Sequence, residues 1–93
     1  KNGYIKIPQN NEFRTAFIHT SSFNNITGNA TVLYYPNAKS TDLVFVQKSL
    51  PYTGSSVITW YDSVIGSWKI SNEIINVNMP VGVTFFVFVI KTE

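Results

Sequence analysis

Apolar and polar residues alternate along most of this chain, which is the pattern of strands with successive side chains on opposite faces. Over 12–20, Phe13, Thr15, Phe17 and His19 fall on one side and Glu12, Arg14, Ala16 and Ile18 on the other. A shorter alternation opens the chain, with Tyr4 and Lys6 against Ile5 and Ile7, closed by Pro8, which cannot donate to a ladder. Further strands are predicted over 29–35, built on Val32, Leu33, Tyr34 and Tyr35, then over 43–50, 57–62 and 68–71. The segment 74–79 sets Ile75, Val77 and Met79 on one face. The small polar stretch 21–28 carries Phe23 and Ile26 as anchors, 36–42 reads as a surface loop, and Pro51-Tyr-Thr-Gly54 has a type I turn signature. Apolar residues at helical spacing never persist beyond one turn. The prediction is an all-β fold, a small antiparallel β-sandwich or jelly-roll-like domain of seven or eight strands.

The last segment, 82–93, is the longest apolar run and the most strongly β-forming. One face carries Val83, Phe85, Val87 and Val89; the other carries Thr84, Phe86, Phe88 and Ile90. Both faces are apolar, so each needs a layer against it. One can fill the core of its own domain. The other requires a second layer, from this chain or from a neighbouring copy, which makes Phe86, Phe88 and Ile90 the candidate oligomer interface.

Size and composition sharpen this. Ninety-three residues make a single domain, 1–93. A domain of this size buries only about 60–70% of the surface its unfolded chain exposes. With no cysteine and one histidine, disulfides, thiolate metal sites and multi-histidine sites are excluded. No cofactor is expected, and association is the remaining means of reinforcement. No apolar run reaches the length of a membrane-spanning helix, so membrane insertion is not expected. The net charge is +2, and the seven basic residues are scattered rather than striped, which argues against nucleic acid. The chain starts at Lys1 without a methionine and reads as the C-terminal piece of a longer protein. The lack of cysteine is compatible with a virion or extracellular setting.

Candidate chemistry is sparse. His19 has no serine, cysteine or carboxylate in a recognisable catalytic arrangement, and reads as a strand histidine facing solvent or a partner. Asp62 and Glu73 are not required by their spacing to oppose one another, so no catalytic residues are expected and the chain reads as a non-enzyme. Aromatics beside polar loop residues are better candidates for recognition. Tyr35, Asn37 and Lys39 lie in one loop, Tyr52 in another, and Tyr61, Asp62 and Trp68 around a third. Alternation splits neighbours here: Trp60 travels with Ile58 and is expected to face in, whereas Tyr61 travels with Thr59 and is expected to face out. Two N-x-[ST] patterns occur, at Asn25 and Asn29.

Two segments resemble a known family. Asn2-Gly-Tyr-Ile-Lys-Ile-Pro8 is similar to the opening of the C-terminal domains of tailed-bacteriophage tail fibres, and Val83-Thr-Phe-Phe-Val-Phe-Val-Ile90 resembles their aromatic-rich closing strand. The likeness covers about a fifth of the chain. After Pro8 the sequence departs from the pattern, with Gln9-Asn-Asn-Glu12 in place of an apolar continuation ending in Trp-Gly, and Lys91-Thr-Glu93 replaces a Gly-Tyr ending. The resemblance implies a homotrimeric receptor-binding tip that attaches to a bacterial surface polysaccharide or protein. Two alternatives accompany it. One is a purely structural virion trimerisation domain. The other is a monomeric carbohydrate-binding module of a larger enzyme, marked by exposure of Trp60 and Trp68 together.

Overall fold

The computed structural model describes residues 14–49 and 56–91. Among these residues there are seven strands and no helix: β1 (Arg14–Thr20), β2 (Ile26–Thr27), β3 (Ala30–Leu33), β4 (Leu43–Lys48), β5 (Val57–Asp62), β6 (Ser67–Asn72) and β7 (Thr84–Ile90). They form two sheets, a three-stranded one in the order β1-β7-β4 and a four-stranded one in the order β2-β3-β6-β5, with every pairing antiparallel. The fold is a small all-β sandwich, as the alternation predicts. The opening segment 1–8 and the turn at Pro51-Tyr-Thr-Gly54 lie outside the described residues, as does the candidate Tyr52.

The core sits between the sheets. Leu33 and Ile70 from the four-stranded sheet meet Phe85, Val87 and Val89 of β7, together with Val83 and Met79. Phe17, Val44, Val46, Val57 and Trp68 pack around them. β7 is the central strand of its sheet, where its β-branched and aromatic side chains find ladder partners on both sides. Its burial alternates strictly, with Phe85, Val87 and Val89 buried and Phe86 and Phe88 exposed.

Polar groups inside the sandwich are matched. His19 of β1 reaches across to Thr31 of β3, with Nε2 and Oγ1 2.8 Å apart. The Thr31 hydroxyl donates to Asn25 Oδ1 at 2.8 Å, so it accepts from His19, and the imidazole carries its proton on Nε2. The expectation that His19 faces solvent or a partner is corrected: it is only 9% exposed, on the inner face beside Phe85. Ser21, also buried, donates from Oγ to the Pro80 carbonyl at 2.6 Å and accepts from Val83 N–H at 2.9 Å, which ties the end of β1 to the entry of β7.

Three other expectations are corrected. The segment 74–79 is a loop rather than a strand. Asn72 donates from Nδ2 to the carbonyls of Val77 and Asn78, and Met79 N–H bonds the Gly28 carbonyl, so the backbone closes on itself instead of offering a ladder. Of the anchors proposed in 21–28, Ile26 packs on the core but Phe23 projects into solvent. The phase of β5 is opposite to the one expected: Val57 packs on the core, Tyr61 shares its face, and Ile58 and Trp60 are exposed on the outer side.

Candidate functional site

One end of the sandwich gathers several of the sequence candidates, and the residue that organises them is Asp42. Its carboxylate is almost wholly buried, and Oδ2 accepts from the Tyr35 hydroxyl at 2.6 Å and from Lys39 N–H at 2.9 Å. The Lys91 ammonium, at the exit of β7, lies 3.0 Å from the same oxygen and also donates to the Asn37 carbonyl. Lys91 sits over the Tyr35 ring, 5.4 Å from its centroid. Asn37 holds the left-handed conformation, φ 59°, that turns the loop back on itself, a role asparagine tolerates better than most residues.

The same end continues through Trp68, whose indole N–H donates to the Lys39 carbonyl at 3.0 Å. Tyr61 stands edge-on to Trp68 with ring centroids 5.8 Å apart. Tyr35, Asn37, Lys39, Tyr61 and Trp68 are therefore brought together. The hydroxyl of Tyr35 and the indole N–H of Trp68 are engaged in bonds that fasten the 36–42 loop. Asp42 and Lys91, which connect the cluster, were not among the recognition residues read from the sequence. The available signal was a carboxylate at the end of a loop opposite a lysine at the end of the central strand.

Asp62 stands apart, on the outer face. It accepts from Lys69 at 2.9 Å and from Val64 N–H at 3.0 Å, which shapes the β5–β6 turn. Gly66, φ 68°, completes that turn by donating its N–H to the Asp62 carbonyl at 2.8 Å.

Electrostatics follow from these contacts. Burial alone would push the Asp42 carboxyl up, but the Tyr35 hydroxyl, the Lys39 N–H and the Lys91 ammonium outweigh it and hold the group below the usual carboxylate range. Burial, then the bond to the Asp42 carboxylate and its charge, push the Tyr35 phenol well above its ordinary value. The Lys69 contact draws Asp62 down. Burial lowers His19, favouring the neutral ring. With Nε2 committed to Thr31, this imidazole is a bridge between sheets. Among the described residues, no group of three or more His, Asp or Glu side chains is placed to hold a metal ion.

The second surface of note is the outer face of the three-stranded sheet. Its rows read Ala16–Phe88–Phe45 and Ile18–Phe86–Gln47 across β1, β7 and β4. Ile18 is 63% exposed, Phe45 54%, Phe86 50% and Phe88 40%. Phe45 and Phe88 stack at a tilt with centroids 6.5 Å apart. Ile90 is half-buried at the end of the stripe, beside Leu43 and Arg14. Arg14 is the only charged residue on this face of the three strands, and it stands at the rim. The two sequons are engaged in structure: Asn25 accepts from Ser22 N–H and donates to the Thr20 carbonyl, and Asn29 donates to the Asn72 carbonyl.

Comparison with protein families, with characterised proteins and with solved structures finds no match.

Proposed function

We propose that this chain is a non-enzymatic receptor-binding or adhesion domain that works as an assembled β-module. It is a homotrimer of the kind that tips a tail fibre and contacts a bacterial surface polysaccharide or protein, in a virion or extracellular setting. The observation that carries the reading is the apolar outer face of the β1-β7-β4 sheet. Its three phenylalanines together leave about 300 Å² open, taking roughly 200 Å² for each ring side chain. Covering that area contributes about 7 kcal/mol per chain. Association itself costs about 4–15 kcal/mol, so the combined contribution of two or three copies is of the size that sustains a complex. The central strand supplies two of the three rings, and the only charge stands at the rim, which is how protein interfaces are built.

The lone histidine supports the non-enzymatic side of the reading, because it is buried and bonded inside the core. A trimer also presents three copies of any recognition surface, and linked copies gain roughly 10²–10⁴ in avidity over one. The test is attachment of fluorescently labelled domain to a panel of Gram-negative and Gram-positive cells, with Phe88→Lys as the assembly-deficient control. The reading predicts attachment of the parent to at least one cell type and its loss in the variant. Attachment to none, or equal attachment by a monomeric Phe88→Lys, overturns it.

A further inference from the structure

The outer face of the four-stranded sheet differs in kind from the apolar face just described. Two aromatic side chains stand on it, separated by polar groups. Tyr34 follows Leu33 and precedes Tyr35, both of which pack on the core, so it is turned outward, and it is 67% exposed. Trp60, on the edge strand β5, is 39% exposed. Its indole N–H donates to Ser71 Oγ at 2.7 Å, which holds the ring against the sheet. Trp60 is in register with Lys69, and Lys69 with Val32, two residues before Tyr34. With strands about 4.8 Å apart and a rise of about 3.3 Å per residue, the two aromatic positions are roughly 12 Å apart. Between them the Lys69 ammonium lies over part of the Trp60 ring, 5.1 Å from its centroid, and pairs with the Asp62 carboxylate, the two charged side chains keeping 13% and 16% of their surface open.

We propose that this face is an oligosaccharide-binding platform, with Trp60 and Tyr34 stacking on the C–H faces of separate sugar rings and Asp62 and Lys69 bonding their hydroxyls. The layout of the patch selects the ligand. Its two aromatics stand apart with an ion pair between them, whereas Phe45 and Phe88 of the other face lie against one another in a contiguous apolar stripe. A nucleic acid is disfavoured because stacking platforms for single strands add a run of backbone-tracking cations, whereas Lys69 is already paired with Asp62. A short glycan matches two separated aromatic surfaces with a donor and an acceptor between them. This inference deepens the adhesion reading and rests on it for its setting. It moves the contact from the loop end, where Tyr35 and Trp68 are engaged internally, to a sheet face.

The experiment is a nuclear magnetic resonance titration of the ¹⁵N-labelled chain with maltohexaose, cellohexaose, mannohexaose and chitohexaose, with the molecular mass recorded on the same samples. The platform predicts that at least one hexaose shifts the Trp60 indole N–H and the amides of Lys69 and Ser71. Trp60→Ala and Tyr34→Ala are each expected to weaken that binding by about tenfold or more, while Trp60→Phe keeps most of it. Tyr34 is exposed, so its replacement leaves the core intact and keeps the test decisive if Trp60→Ala fails to fold. Three results overturn the proposal: no hexaose shifting these signals, shifts confined to the Tyr35–Trp68 end, or unchanged binding by Tyr34→Ala. Cell attachment that depends on Trp60 yet survives periodate treatment of the cells marks a protein ligand and overturns it as well. Because mass is read separately, loss of glycan binding in a trimer is distinguishable from failure of assembly.

Discussion

His19 shows how one side chain can be both ordinary and consequential. It spans the two sheets through Thr31, and the bond chain running on to Asn25 fixes which nitrogen bears the proton. Burial favours the neutral ring, so its folded pKa lies below the ordinary 6.5. The unfolded chain therefore binds a proton below that pH while the folded chain does not, and stability rises with pH where the unfolded state holds more protons. The contribution is fully present above pH 6.5 and declines as pH falls from there toward the folded pKa. Thermal melts between pH 8 and pH 5, a span of roughly the ordinary histidine range, are expected to show a falling midpoint in the parent. The slope is expected to flatten in His19→Gln, which cannot titrate. A parent midpoint independent of pH across this window contradicts the account. Asp42 acts in a separate window, because its lowered carboxyl loses stability only as pH falls below the ordinary value of 3.8. That difference keeps the two effects distinguishable.

At the scale of elements, strands were legible where alternation and turn residues agreed. β5 was expected at 57–62 and occupies those residues, and β4 and β7 fall within their expected spans. Alternation fixes which residues share a face but not which face turns inward. Ile58 and Trp60 outrank Val57 and Thr59 in bulk and apolarity, so the sequence pointed the wrong side of β5 to the core. An edge strand can set its larger side chains outside when cross-strand partners hold them, as Ser71 holds Trp60. The segment 74–79 alternates as well as many strands do. Its fate is decided by the Asn72 amide, whose reach to the Val77 and Asn78 carbonyls no local pattern reveals. The candidate site was half legible for the same reason. Tyr35, Asn37 and Lys39 were seen as loop aromatics and polar groups, but Asp42 and Lys91 meet only because β7 ends beside that loop. Replacing Asn72 with Ala removes the bonds from its amide to Val77 and Asn78 and leaves those loop carbonyls without that donor. Chemical denaturation is expected to show a loss of about 1–3 kcal/mol. A change within a few tenths would mean that the loop closes without it.

For the whole molecule, the two outer faces have different characters and invite different occupants. The β1-β7-β4 face is apolar through its centre, with Ile18, Phe45, Phe86 and Phe88 open in the single chain. The sequence anticipated an uncovered side to the closing strand. Ile18 and Phe45 joined it only once β1 and β4 were placed on either side of β7. Within one chain this surface is about the size of the largest apolar patch on a typical soluble monomer, and such patches often mark contact sites. The opposite face is mixed, with isolated aromatics among charges and hydroxyls, suited to a small polar ligand. Assembly through the first face leaves the second turned away from the contact. The most direct measurement is the mass of the parent chain by light scattering during size exclusion at micromolar concentration. The account predicts about three times the 10.5 kDa of one chain, falling to a single chain's mass in a folded Phe88→Lys. A parent that runs as a 10.5 kDa monomer contradicts it.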